Sequence, residues 1–201
     1  MSEAVKITEK QNDQKKSKFL IRITLTALFA ALTAAGTFVA IPIGPVPIVL
    51  QNMFAVLSGL ILGPVLGGAS VALYLLAGIL NFPVFAGGTG GIARLLGPTG
   101  GYLLGYLLSA LVGGLILGRP RQGEKPGLPR RILAVTVGLL VVYLPGLIWL
   151  KTSLGLPWFG PGGAFVVGLI PFLPGDALKG AAAVILCPRL RRSAGDFLDR
   201  E

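Results

Sequence analysis

The chain has 201 residues, 53% of them hydrophobic and 13% charged, with 30 glycines and a formal net charge of +10. A mean hydropathy of +0.79 exceeds what a water-soluble core requires and argues for a bilayer as the solvent. Histidine is absent and Cys187 is the single cysteine, which excludes an intramolecular disulfide, a Cys/His metal centre and His-based acid–base chemistry.

In chain order, residues 1–18 are polar and carry Lys6, Lys10, Lys15, Lys16 and Lys18; they are expected to form a disordered tail. The first apolar stretch, 19–41, runs far beyond the apolar core of a cleavable signal peptide and is read as a retained membrane helix. Stretches 47–62, 64–80, 98–117, 132–150 and 161–187 follow once Pro and Gly are taken as punctuation, each read as a crossing of the hydrocarbon. The second and third spans are short and divided by little more than Gly63-Pro64, so five spans is the competing count. Charge decides between them. All but three of the 18 Lys and Arg residues fall in three places. They lie up to Arg22 at the start of span one, between spans four and five (Arg119, Arg121, Lys125, Arg130 and Arg131), or after span six (Arg189, Arg191, Arg192 and Arg200). Six crossings put these regions on one side, and the tendency of Lys and Arg to stay cytoplasmic makes it the inner one. The expected fold class is therefore all-α: a polytopic domain of six transmembrane helices over 19–187, flanked by cytoplasmic tails 1–18 and 188–201. Topology and contact with anionic lipid account for the positive charge. No aromatic residues are interleaved with it as an RNA-binding face would need.

The three remaining cations are Arg94, Lys151 and Lys179. Lys151 closes span five, where its stem can carry the ammonium to the interface. Arg94 sits in a glycine-dense connection, 81–98, whose apolar residues suggest a segment folding back into the outer half of the membrane. Such a segment is tolerated only where protein or a water-filled cavity receives its backbone, which makes it a candidate lid. Gly88-x-Gly90-x-x-Ala93 within it matches a permissive dinucleotide fingerprint but lacks the strand and βαβ context that gives the pattern meaning.

Lys179 lies three residues after Asp176, inside span six. An ionisable group at the centre of a membrane helix costs about 2.5–3.5 kcal/mol, so the pair marks a site; the alternative is an ion pair that only pins a kink. Pro171, Pro174 and Gly175 precede it. Each proline deletes a backbone donor and clashes with the preceding turn, so the helix should restart near Pro174 with Asp176 close to its amino-terminal end. If Arg94 reaches the same cavity, Arg94, Asp176 and Lys179 sum to a single positive charge. That suits a small ligand with one carboxylate and with N–H edges for Asp176 to accept. With one intramembrane acid and no nucleophile beside a base, an enzyme is hard to assemble, and none is expected.

Small residues recur at four-residue spacing, which lets helices approach closely. Gly59, Gly63 and Gly67, and then Gly97, Gly101 and Gly105, are expected to pack the bundle. Ala27, Ala31 and Ala35 could do the same or could face a separate membrane subunit.

Four segments taken in order resemble the BioY family: Pro42-Ile-Gly-Pro-Val-Pro-Ile-Val-Leu-Gln51, Pro83-Val-Phe-Ala-Gly-Gly-Thr-Gly-Gly91, Leu96-Gly-Pro-Thr-Gly-Gly-Tyr-Leu-Leu-Gly105 and Pro174-Gly-Asp-Ala-Leu-Lys179. These are the biotin-specific substrate-binding (S) components of energy-coupling factor (ECF) transporters, and the resemblance runs over about residues 27–186. It implies an S-component fold of six helices with no cofactor or nucleotide site of its own, in a prokaryotic plasma membrane. It implies high-affinity capture of biotin outside and delivery to the cytoplasm. The partners implied are a membrane-spanning coupling subunit, contacted by Ala27, Ala31 and Ala35, and two ATP-binding cassette subunits that hydrolyse ATP. The implied ligand contacts are Arg94, Asp176 and Lys179, with Asn81, Tyr102 and Gln51 as further candidates. The carboxylate is placed on Arg94 and Lys179 and the ureido N–H groups on Asp176, or the two ends exchanged. Phe85, Trp149 and Trp158 are read first as interface aromatics. Two alternatives remain: an S component for another small carboxylated vitamin, and an autonomous transporter coupled to protons through Asp176.

Overall fold

The structure, a computed structural model, describes residues 3–41 and 48–198. Pro42 to Pro47 of the first motif and Arg200 lie outside the described residues. Helix α1 (Glu3–Ala35) starts well before the apolar stretch, so the expected disordered tail is helical from Glu3. Its Ala, Glu, Lys and Gln residues are good helix formers, and the apolar continuation supplies the length that offsets nucleation. A short antiparallel pairing of β1 (Ala40–Ile41) with β2 (Ile48–Val49) sets Ala40 opposite Val49 and leads into α2 (Gln51–Ile79).

Helix α2 is two arms. Gly63 adopts φ 81° and ψ 173°, outside the helical region, immediately before Pro64, a conformation that glycine reaches without the Cβ penalty. The chain reverses there. A Cβ added to Gly67 would fall 2.5 Å from Gly59 Cα, and Ser58 Oγ donates to the Gly67 carbonyl at 3.2 Å. Among the described residues five helical stretches are long and apolar enough to cross a membrane, and folding one of them back at Gly63 gives six crossing segments. The first arm, 51–62, rises only about 18 Å as helix, and the two strand residues of β2 before it add about 7 Å. Length of unbroken helix alone therefore conceals it.

Helices α3 (Ile92–Leu96), α4 (Gly100–Leu117), α5 (Leu128–Val141) and α6 (Tyr143–Leu154) follow. The break between α5 and α6 falls where Pro145 has no N–H for the Val141 carbonyl. Then come α7 (Ala164–Gly168), a 3-10 turn (Ile170–Phe172) and α8 (Leu173–Leu198). Of the glycine series, Gly59, Gly67, Gly101 and Gly105 pack helix against helix as expected, whereas Gly63 makes the reversal and Gly97 meets only carbonyls of its own turn. A Cβ on Gly59 would meet the Ala110 carbonyl oxygen at 1.9 Å, and one on Gly101 the Pro145 carbonyl oxygen at 2.3 Å, so α2, α4 and α6 touch backbone to backbone.

The last helix corrects a second boundary. Residues 188–198 continue α8 through Pro188 rather than forming a separate tail, and Arg191 is 1% exposed. Arg191 donates to the carbonyls of Leu60 (2.5 Å), Leu117 (3.3 Å), Gly118 (3.1 Å) and Arg119 (2.7 Å). The carbonyls of Leu60, Leu117 and Gly118 end the first arm of α2 and α4, where a helix leaves its last four acceptors unsatisfied, and that of Arg119 follows in the connection after α4. Prolines account for two of the freed acceptors at this end, and arginines take them. Pro64 cannot donate to Leu60, which Arg191 satisfies; Pro188 cannot donate to Val184, whose carbonyl accepts from Arg131 Nη1 at 3.0 Å. Cations also oppose the negative end of the helix dipole. This end of the bundle is thus held by arginine.

Candidate ligand site

The opposite end holds the acidic group. Pro171 falls in the 3-10 turn, α8 restarts at Leu173, and Asp176 sits in its first turn, as the proline pattern predicts. Asp176 and Lys179 are each 7% exposed and form an ion pair of 2.8 Å. Two other helices complete the cluster. From α2, Asn52 Nδ2 donates to Asp176 Oδ1 (2.8 Å) while its Oδ1 accepts from Lys179 Nζ (3.1 Å). From α6, the Tyr143 hydroxyl donates to Asp176 Oδ2 (2.6 Å).

The four groups line a cavity of about 30 Å³ together with Tyr102 and Tyr106 of α4. Tyr102 donates to the Gly168 carbonyl at 2.8 Å and meets Tyr143 edge-on, with ring centroids 6.1 Å apart. The cluster is net neutral and mixes both kinds of partner. A carboxylate oxygen and an amide oxygen accept, while an ammonium, an amide NH₂ and a phenol donate. Lys179 spends two of its three donors here, and a carboxylate has about four acceptor positions of which three are used. Among the described residues one Lys179 N–H, the second Asn52 Nδ2–H and one acceptor position of Asp176 therefore remain for something else.

The predicted residues separate into two groups. Asp176, Lys179 and Tyr102 meet at the cavity. Arg94 does not line it. It is exposed, donates to Thr89 Oγ1 (3.0 Å) and the Ala86 carbonyl (3.2 Å), and so braces its own loop; the three-charge sum expected at one cavity is absent. No residue of 81–98 lines the cavity, so the loop does not cap it in this conformation. Instead Phe85, 1% exposed, packs on Gly78 and edge-on to Tyr74 at 5.6 Å.

Gln51 ties that loop down. Its amide donates to Thr37 Oγ1, to the Tyr74 hydroxyl (2.8 Å) and to the Val84 carbonyl (3.1 Å). Asn81 is exposed at φ 72°, and its own N–H bonds to the Gly78 carbonyl while that of Phe82 bonds to Ala77. This is the left-handed Schellman ending in which asparagine substitutes for glycine. Among the interface aromatics, Trp149 donates to the Gly97 carbonyl (3.0 Å), and the Lys151 ammonium lies 5.4 Å from the Trp158 ring centroid.

Sequence reasoning missed Asn52, Tyr143 and Tyr106. An amide one residue past Gln51 and a phenol within an apolar span were the available signals, since polar groups at that depth seek partners.

The BioY family profile matches residues 8–196. The chain belongs to the BioY family. A probable biotin transporter BioY of Pyrococcus horikoshii is 43% identical over 169 residues, covering 84% of this chain and 95% of the relative. The biotin transporter BioY of Lactococcus lactis is 33% identical, covering 92% and 95%. In three dimensions the chain is similar to the S-component for biotin from an ECF-type ABC transporter, with a TM-score of 0.73 at 29% identity over 96% of this chain and 95% of that one. FolT bound with folic acid shares the fold alone, with a TM-score of 0.52 at 21% identity over 89% of this chain and 94% of that one. The BioY relatives are named as transporters, and this member is a multi-pass membrane transport protein, not an enzyme.

Proposed function

We propose that this chain captures biotin as the S component of an ECF-type transporter, with the Asp176 cluster as the seat of the ureido ring. The observation that carries this reading is the closed, net-neutral set of Asp176, Lys179, Asn52 and Tyr143 in a BioY-family chain. A ureido ring has two N–H donors and one carbonyl acceptor. Asp176 takes an N–H, and Lys179, Asn52 or Tyr143 donates to the carbonyl. Seating the carboxylate here would bring a second anion beside Asp176 in a buried place, where an unpaired charge is costly. The carboxylate therefore belongs with Arg94, whose five donors are only partly used within its loop. Lys179 thereby moves from the carboxylate to the ureido end. Gln51 and Asn81 act by holding the loop that carries Arg94. A cavity of about 30 Å³ has room for about one water, so binding a bicyclic ligand includes displacement of the lining side chains.

Energy comes from outside the chain. Ala27, Ala31 and Ala35 are exposed on α1 while Phe29, Ala30 and Thr33 are buried, so the alanine stripe is free for close approach by a coupling subunit. That subunit and its two ATPases drive release to the cytoplasm, where both chain termini lie.

The test is calorimetric titration of biotin into the purified chain in nanodiscs without partners, beside Lys179→Met. Saturable binding that the substitution weakens, in the fraction of protein that remains folded, supports the reading. No binding by folded wild-type protein sinks it and turns the search to other small carboxylated vitamins. Uptake into liposomes driven by a proton gradient, with the chain as sole protein, would favour the autonomous transporter instead.

A further inference from the structure

At the arginine-held end lies a cavity of about 430 Å³ at the reversal of α2, remote in function from the Asp176 cluster. Arg22 of α1 and Arg119 and Arg121 of the α4–α5 connection line it, and among the described residues no carboxylate does. Among the described residues none of the three guanidinium groups has a hydrogen-bond or ion-pair partner. Their neighbours Arg130, Arg131 and Arg191 all bond to main-chain carbonyls, so the free three stand apart in use as well as in place.

The backbone that carries two of them is fixed. The Arg119 carbonyl accepts from Arg191 at 2.7 Å, and a Cβ on Gly195 would lie 2.8 Å from the Arg121 carbonyl oxygen, so α8 presses directly on the connection. The remaining wall is apolar, with Leu62, Val65, Leu66 and Leu198. Three like charges on one concave surface with no counter-charge among the described residues concentrate anions, and guanidinium groups match the oxygens of a phosphate.

We propose that this cavity binds a phosphate group, held by Arg22, Arg119 and Arg121. The apolar wall beside the cations fits a phospholipid, whose headgroup and chain bases meet both surfaces; a soluble phosphate would use the arginines alone. The proposal is independent of the biotin reading, because none of these residues touches the Asp176 cluster.

The purified full chain is compared in nanodiscs of phosphatidylcholine with and without phosphatidylglycerol, reading retained lipid by native mass spectrometry and melting temperature in parallel. A second arm adds inorganic phosphate to the detergent-solubilised chain at constant ionic strength. The variant carries Arg22→Gln, Arg119→Gln and Arg121→Gln; the control carries Lys16→Gln, Arg189→Gln and Arg192→Gln, which remove the same charge from exposed positions outside the cavity. Each cavity arginine is expected to contribute about fivefold to retention of the anionic lipid. Loss in the cavity variant with retention in the control establishes the site with a lipid source. Stabilisation by inorganic phosphate that follows the same pattern establishes it with a soluble one. Equal loss in both variants, or loss in neither, overturns the proposal and leaves only diffuse attraction. Because all six side chains are at the surface, the melting temperature in neutral lipid should stay at the wild-type value in both variants.

Discussion

Helix α8 buries charge at both of its ends, and the two ends satisfy it differently. Asp176 and Lys179 neutralise each other and bond to side chains, Asn52 and Tyr143. Arg191, about 22 Å further along the helix, bonds mainly to main-chain carbonyls of Leu60, Leu117, Gly118 and Arg119, with the half-buried Glu124 at 3.4 Å. A side-chain partner can rotate away and let a ligand take its place. A carbonyl at a helix end stays where the helix puts it, and removing its donor leaves it without a bond. The first end is therefore built for exchange of partners and the second for permanence.

The largest expected effect falls on the permanent end. Arg191→Ala leaves several helix-end carbonyls without their charged donor and should destabilise the fold by about 3–5 kcal/mol. The readout is a lower melting temperature or faster proteolysis in detergent, with biotin affinity preserved in the fraction that stays folded. Arg191→Lys should recover only part of the loss, because an ammonium has three donors and no planar fork. Unchanged melting would break the comparison, and so would a stable protein that no longer binds ligand.

At the exchanging end, Asp176→Asn strands the Lys179 ammonium and should cost about 3 kcal/mol of stability. Replacing the pair together, Asp176→Leu with Lys179→Met, should return the melting temperature close to wild type, since an apolar pair needs no partners. Biotin binding should not return with it. That recovery has no counterpart at Arg191, where the stranded groups belong to the backbone and no substitution on α8 removes them. A double variant as unstable as Asp176→Asn would show that the cluster is structural in the same sense as Arg191.

Much of the exchanging end was legible in the sequence because proline and an intramembrane charge pair are local signals. The restart of α8, Asp176 in its first turn, and the Gly63-Pro64 reversal all follow from backbone chemistry within a few residues. The partners were not legible. Gln51 and Asn52 are adjacent amides about 100° apart around α2, and in a helix that is apolar on all sides no stripe says which of them faces α8. Gln51 turned toward Thr37 and Tyr74, and Asn52 toward Asp176. At the other end, Arg191 was read as one more topological charge. The available clue was indirect: Pro64 and Pro188 each strand a carbonyl, and Leu60 and Val184 then need donors from somewhere. The amino-terminal tail was misread because low hydrophobicity suggested disorder, where the good helix formers after Glu3 and the attached apolar helix decided the outcome.

Tyr143→Phe sharpens the comparison at smaller scale. It removes one hydrogen bond to a charged acceptor and leaves the ring against Tyr102, so the loss should be about 1.5 kcal/mol, or roughly tenfold in biotin affinity. Because Asn52 and Lys179 still hold Asp176 Oδ1, the fold should persist. A loss in stability equal to that of Asp176→Asn would mean that the phenol is indispensable to the cluster rather than one of several exchangeable partners.

The smallest effect belongs to Arg94, and it separates the two ends of the ligand. Arg94 is exposed and, among the described residues, bonds only within its loop, so Arg94→Gln should change the melting temperature little, within about 0.5 kcal/mol. If Arg94 takes the carboxylate while the buried cluster takes the ureido ring, biotin affinity should fall about fivefold, the scale of one exposed charge pair. Biotin methyl ester, which lacks the anion, should bind wild type and variant alike. Lys179→Met should instead weaken biotin and its ester together, because it acts on the ring that both share. The reverse pattern, with the ester sparing Lys179→Met and following Arg94→Gln, would seat the carboxylate at the buried pair and invert the ligand in the site.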